Sequence, residues 1–282
     1  MDVIPTRNGT APSARAAQIA VAWAAEEGWN PGLDDGQRFL AFDADAFMAT
    51  ERDGEVVASV SCALYGSAYA FIGFYIVRPD LRGQGLGRPL FDRALARADG
   101  RVVGLDAVLE QEATYARGGF ATSHRNVRWR TLGGGHLPAG LVDLRRLPVW
   151  QLEAYDAAIF GTERSRFLRP WIDRPPGHAL AYVRDGALAG YGLVRACRTG
   201  AKIGPLLADD AEAADALLTG LLAAAGPGTE VFIDMPTANP ATLALRTGRT
   251  MEPVFETARM YLHGEPLEDL HRIFGVTTLE FG

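Results

Sequence analysis

Residues 71–88, FIGFYIVRPDLRGQGLGR, decide how the rest of the chain is read. The aromatic and β-branched run Phe71 to Val77 predicts a buried strand. Pro79 ends it, because proline has no N–H to add to a ladder and biases its neighbour away from helix. Arg82-Gly83-Gln84-Gly85-Leu86-Gly87-Arg88 follows, and Pro89 to Ala98 has helical composition. A strand, a glycine loop and a helix start in that order form an anion cradle. Successive backbone N–H groups converge there, and the helix N-terminus adds positive partial charge. The glycines let the main chain approach a phosphate closely.

Which anion the cradle holds is narrowed by what the loop lacks. A nucleotide P-loop needs a Lys-Ser or Lys-Thr pair, and none follows. A dinucleotide fingerprint starting at Gly83 would meet Arg88 at its third glycine, although Asp106 lies near the distance expected of a ribose-binding acid. The segments before the loop also read as an antiparallel meander, not as the opening strand of a parallel sheet. Arg82, Gly85 and Gly87 match the Arg-x-x-Gly-x-Gly loop, and in this the chain resembles the GNAT N-acetyltransferases. The resemblance implies that Arg82, Gly83, Gln84, Gly85, Leu86, Gly87 and Arg88 hold the diphosphate of acetyl-CoA.

Composition narrows the class further. Of 282 residues, 48% are hydrophobic and 22% charged, ordinary values for a globular protein, and the length fits two domains better than one. The net charge of −6, without a long basic run, argues against nucleic-acid binding. No apolar stretch approaches a membrane span, and no secretory h-region follows Met1, so a cytoplasmic location is expected. Cys62 and Cys197 sit in separate strand-like runs and read as buried free thiols. The five histidines show no metal-ligand spacing, so no metal is expected.

Along the chain, Ser13 opens a helix to about Glu27, and Gly28 ends it. A turn-rich loop follows, in which Trp29 and Asn30 either pack the loop down or line an acceptor pocket; an indole face can hold an ammonium group. Asp53-Gly54 predicts a hairpin, and three antiparallel strands precede the glycine loop. A right-handed crossover leads to a parallel strand, Val102 to Asp106, and a helix near Glu110 to Arg117 comes next. Strands through Thr122 and Asn126 to Arg130 are expected to complete a mixed α+β sheet. This order is similar to the GNAT fold, a mostly antiparallel sheet splayed between its fourth and fifth strands. Tyr115-Ala116-Arg117-Gly118-Gly119-Phe120 also resembles the family's Tyr-x-x-x-Gly-Phe.

Gly133-Gly134-Gly135 reads as the start of a connection, dividing the chain into domains 1–135 and 136–282. The second half echoes the first. Asp185-Gly186 repeats Asp53-Gly54, and Phe232-Ile233-Asp234 repeats Gly104-Leu105-Asp106, each about 130 residues on. At the loop the halves part. Where the first has Arg82 and glycines, the second has Ala208-Asp209-Asp210-Ala211-Glu212, whose carboxylates would repel a diphosphate. The chain is thus similar to tandem GNAT proteins with a degenerate C-terminal half, including the YitH-like group. Asp234 and Asn239 sit where they either contact substrate or serve turns around Pro236 and Pro240. Ile273 to Leu279 is strand-like.

By resemblance, the backbone at Ile76 and Val77 binds pantetheine or the thioester oxygen, and Tyr115 protonates the leaving thiolate. Tyr75, Glu27, Asp34 and Asp106 are candidate general bases, and Gln111 is expected to stand in for an asparagine that many family members carry where Val108 stands. The expected partner is a small-molecule primary amine. A cationic acceptor suits Trp29, whereas Arg125 and Arg128 would favour an acidic one. Monomer and homodimer remain open. So does a second class of function, an acyl-CoA-responsive sensor without turnover.

Overall fold

Both Asp-Gly pairs close tight hairpins. Asp53 (φ 54°) with Gly54 (84°), and Asp185 (52°) with Gly186 (79°), lie in the left-handed region that a type I′ turn demands. The computed structural model describes residues 8–10, 13–175 and 177–282. The first half runs β1 (Asn8–Thr10), α1 (Ser13–Glu26), α2 (Asp35–Phe42), β2 (Phe47–Arg52), β3 (Glu55–Tyr65), β4 (Tyr69–Val77), α3 (Gly87–Ala98), β5 (Val102–Val108), α4 (Glu112–Arg117) and β6 (Ala121–Leu132). Then come β7 (Leu141–Asp143), α5 (Val149–Phe160), α6 (Ser165–Ile172), β8 (Ala179–Arg184), β9 (Ala187–Ala196), β10 (Ala201–Ala208), α7 (Ala211–Ala225), β11 (Glu230–Pro236), α8 (Thr242–Arg246), β12 (Glu252–Leu262) and β13 (Ile273–Gly275).

All described strands belong to one sheet, ordered β1-β2-β3-β4-β5-β12-β6-β11-β10-β9-β8-β7, with β13 paired to β10. Among the described residues, only β4 with β5 and β10 with β11 run parallel. The mixed, mostly antiparallel sheet expected from the sequence is present, but it is not completed within one half. β6 pairs with β11 and β12, and β12 pairs with β5. The last long strand of each half therefore lies between the fifth strand of the other half and its own counterpart. Strand periodicity cannot reveal this, because it reports which face of a strand is buried and not which strands pair along its edges.

Helices cover both faces. Leu90, Phe91, Ala94 and Ala98 make one stripe of α3 and bury against Val60, Cys62, Ile72, Val103 and Leu105. Fully burying such a leucine or phenylalanine contributes about 1.5–3 kcal/mol. In the second half Leu217, Leu218 and Leu221 of α7 do the same over Ile203, Leu206 and Ile233. An aromatic cluster joins the halves: the Phe39 ring stacks on Phe281 (centroids 3.7 Å) and Trp171 (5.5 Å), and Phe167 stacks on Trp171 (5.1 Å). These contacts explain α2, which sequence reading did not anticipate. Eight residues are too few for a helix to stand alone, and tertiary packing of Phe39 and Phe42 supplies what propensity does not.

Both thiols are buried, and burial pushes Cys62 up to about 12. No described helix is long and apolar enough to cross a membrane. On β6, His124 is 8% exposed, and its Nε2 has no hydrogen-bond partner among the described residues. Burial, then the Arg259 charge, lowers its pKa from 6.5 to about 3. Between those pH values the unfolded chain holds a proton that the folded chain does not, so stability falls as pH falls. The expected slope from this residue is about 1.4 kcal/mol per pH unit. Denaturant titrations of His124→Gln between pH 7 and 4 should show a flatter dependence; an unchanged slope rejects this assignment.

Candidate active site

The β4–β5 ladder pairs Tyr69 with Val102, Ala70 with Val103 and Phe71 with Gly104, and then stops. Beyond it β4 follows β3, and β5 follows β12, so the strands diverge and leave a notch. A bulge opens it. Ser59 faces Ile76 and Ser61 faces Gly73, so Phe74 and Tyr75 together oppose Val60. Phe74 takes φ 48°, rare for a bulky residue, and its carbonyl accepts the Ser59 hydroxyl at 2.9 Å. A cavity of about 360 Å³ occupies the notch, bordered by Ile76, Val77, Arg82 and Gly83 at one end and Val108, Gln111 and Tyr115 at another.

Below the notch the glycine loop turns into α3. Gly83 and Gly85 have φ of 77° and 74°, with open space where a Cβ would sit. Gly87 is glycine for another reason, since a Cβ would strike the Tyr75 hydroxyl and Val77. Leu86 occupies the N-cap of α3 with no side-chain cap, and the first turn has no acidic residue. The Gly87 and Arg88 amides at this helix start thus have no side-chain cap and remain available to an anion. Arg82 donates to the Val77 carbonyl (3.0 Å) and pairs with Glu27, while Gln84 is exposed and Arg88 pairs with Asp92 on the surface. These residues fit a diphosphate.

The other half shows the contrast. A bulge at Gly204-Pro205 and a parallel ladder ending at Ile203–Ile233 reproduce the notch, but β13 pairs along Leu206 and Leu207 and fills it. Asp210 caps α7 by accepting from the Ala213 amide at 2.9 Å, and Arg184 pairs with it at 2.7 Å. Asp209 pairs with Arg272. The helix end that would face a phosphate is already satisfied by the chain's own carboxylate.

Tyr115 projects from α4 into the cavity, its ring packed by Phe91 (5.7 Å) and Phe120 (6.0 Å). Burial, then the neighbouring Tyr75, raises its pKa well above the usual phenol value, so it stays protonated. Tyr75, whose pKa burial also raises, and Trp29 both border the cavity.

Several proposed site residues are placed elsewhere or otherwise engaged. Asp106 touches the cavity, but its carboxylate accepts from Asn126 (2.8 Å), Thr257 (3.2 Å) and both Nε and Nη2 of Arg259 (3.1 and 2.7 Å). An ion so committed has no lone pair left for a substrate proton. Asp234 is 2% exposed and forms a two-pronged pair with Arg128 at 2.7 and 3.0 Å, away from the cavity wall. Asn30 pins the loop to the second half, exchanging bonds with the Thr199 carbonyl and amide. Asn239, likewise, bonds the His271 and Ile273 carbonyls and the Ala241 amide, which is turn chemistry. Burial works against Asp34, yet Arg38 and Arg174 hold its pKa low, and it lies off the cavity. Arg125 pairs with Glu112 at 2.8 Å, so neither arginine offered for an acidic acceptor is free.

What sequence reading missed is the far wall. Phe255 and Thr257 of β12, and Leu279 and Glu280 beyond β13, all come from the second half. One signal was available: Glu280 is a lone charge in an apolar tail.

The comparisons agree with this geometry. Residues 16–118 match the acetyltransferase (GNAT) family, and residues 152–275 match an acetyltransferase (GNAT) domain. The chain is 33% identical over 270 residues to the holothin acyltransferase of Pseudoalteromonas sp. (strain SANK 73390), covering 94% of this chain and 91% of that protein. It is 28% identical over 217 residues to the uncharacterised N-acetyltransferase YitH of Bacillus subtilis (strain 168), covering 75% and 76%. A crystal structure from Pyrococcus horikoshii, assigned to the acetyltransferases, superposes with a TM-score of 0.82 at 21% identity over 100% of this chain and 98% of its own. With a notch built from strands that part, a helix start without a cap and two matching regions in tandem, the chain belongs to the GNAT acetyltransferases and is an acyltransferase.

Proposed function

We propose that this enzyme moves an acetyl group from acetyl-CoA directly to the primary amine of a small molecule, with residues 1–135 as the catalytic half and 136–282 walling the acceptor pocket. The observation that carries the reading is the continuity of one cavity from the Arg82–Gly83 end to Tyr115. The relative that acylates holothin supports a small-molecule acceptor.

Bound acetyl-CoA would supply the activated acyl carbon. The amides of residues 83–88 and the start of α3 would hold its diphosphate, and the β4 edge at Ile76 and Val77 would receive its amide-bearing arm, with Gln111 beside it. Phe74, Val108 and Phe255 give the notch apolar walls, and polar contacts strengthen as such walls lower the local dielectric. Tyr115, kept neutral by burial, donates its proton at the sulfur position. Desolvation that raises the phenol raises a thiol beside it too, so the transfer stays matched. Positioning and polarisation supply the remaining acceleration.

Charge reversal at the cradle tests the reading. Arg82→Glu should weaken acetyl-CoA binding, measured by calorimetry, about tenfold or more. Unaltered affinity refutes the cradle assignment.

A further inference from the structure

Three carboxylates line the cavity, and they differ in what holds them. Glu27 is paired with Arg82, and Asp106 accepts four hydrogen bonds. Glu280 is 2% exposed, and neither of its carboxylate oxygens has a hydrogen-bond partner among the described residues. A buried carboxylate without a donor is strongly disfavoured, so the fold must force it into place or a ligand must complete it.

The fold does force it. Thr278 Oγ1 accepts from the Glu280 and Phe281 amides at 2.9 and 2.8 Å, and the Tyr65 hydroxyl donates to the Phe281 carbonyl at 2.6 Å. Phe281 is stacked on Phe39, and a Cβ at Gly73 would collide with the Glu280 carbonyl, so the segment lies flat against the bulged strand. Arg128, Arg195 and Lys202 stand within electrostatic reach of Glu280, yet each has a partner elsewhere and none forms a hydrogen bond or ion pair with it among the described residues, where the Arg195 Nη2 has no hydrogen-bond partner. Arg128 pairs with Asp234, Arg195 with Asp35 at 3.1 Å, and Lys202 donates to the Trp29 carbonyl at 3.0 Å. Glu280 itself lines the cavity, together with the apolar Trp29, Phe255 and Leu279.

We infer that Glu280 receives the acceptor's ammonium group and takes a proton from it, so that the site accepts small primary alkylamines with an apolar body. The inference rests on the acetyl-transfer reading above. The ammonium gives one proton to Glu280 and exposes its lone pair. That pair forms the C–N bond to the acyl carbon, the C–S bond breaks with its electrons going to sulfur, and the sulfur takes the Tyr115 proton. The nitrogen's second proton returns to Tyr115 through solvent, and the proton on Glu280 leaves to bulk. The second half, which has lost its own cradle, thus contributes a catalytic residue to the first.

The test compares the full-length parent with Glu280→Gln, an isosteric change that removes no hydrogen bond. The probes are acetyl-CoA, 2-phenylethylamine (an ammonium at neutral pH) and aniline (neutral there). The variant should bind acetyl-CoA as the parent does, which also certifies its fold. By calorimetry it should bind 2-phenylethylammonium about ten- to a hundredfold more weakly. Thiol release with that amine should slow about a hundredfold or more, and with aniline only about threefold. Equal loss with both amines, or unchanged binding and turnover of 2-phenylethylamine, overturns the role of Glu280. A parent that binds acetyl-CoA but neither binds nor acetylates 2-phenylethylamine overturns the acceptor class. A parent that binds no acetyl-CoA overturns the acetyl-transfer reading instead, and ammonium binding still decides Glu280.

Discussion

Tyr115→Phe is expected to lower the rate of acetyl transfer about a hundred- to ten-thousandfold, the range for losing a positioned general acid, while leaving acetyl-CoA affinity unchanged. The substitution removes one oxygen. The ring contacts with Phe91 and Phe120 survive, so the helix and the cavity wall should keep their shape. A role confined to packing would therefore leave turnover intact. The phenol is neutral throughout the working pH range, because burial raises its pKa, so deprotonating Tyr115 should give no alkaline limb at physiological pH. Thiol-release rates paired with calorimetry on the same preparations separate the two roles, and unchanged turnover removes Tyr115 from the chemistry.

The second large effect concerns stability. Asp106→Ala is expected to destabilise the fold by about 3–5 kcal/mol, because it strands Arg259 without its counter-ion. Arg259 is 2% exposed and stacks its guanidinium over Phe71 at 4.9 Å, so water cannot replace the lost carboxylate. The pair also ties β12 to β5, the contact on which the exchange of strands depends. Denaturant unfolding should show the full loss, with a fall in melting temperature of roughly 10 °C. Below that temperature, turnover per folded molecule should match the parent. A fall in turnover with stability unchanged would return Asp106 to the list of bases.

Reading the sequence anticipated the strand, glycine loop and helix start because their signals are local. Positive φ at Gly83 and Gly85 and the uncapped start of α3 follow from residues within one short loop, and the bar to a Cβ at Gly87 comes from Tyr75 and Val77 on the strand just before it. The degenerate second loop was legible for the same reason, since Asp210 caps its helix from the adjacent position. Acidic and polar residues were harder. Asp106, Asp234 and Asn30 each stand near site-like positions in the sequence, but their partners are Arg259, Arg128 and Thr199, all over a hundred residues away. Whether a carboxylate is free or neutralised is a property of its surroundings, and those are assembled only on folding.

The sequence by itself determined the strand–loop–helix with its uncapped helix start, the tyrosine motif, the repeated half and its acidic loop, because each depends on backbone conformations that neighbouring residues dictate. The tertiary structure alone decided the order of strands at the centre of the sheet, the residues on the far wall of the cavity and which carboxylate stands unpaired. Those depend on burial shared between segments far apart in the chain, where β6 and β12 trade partners and Glu280 is carried against Gly73.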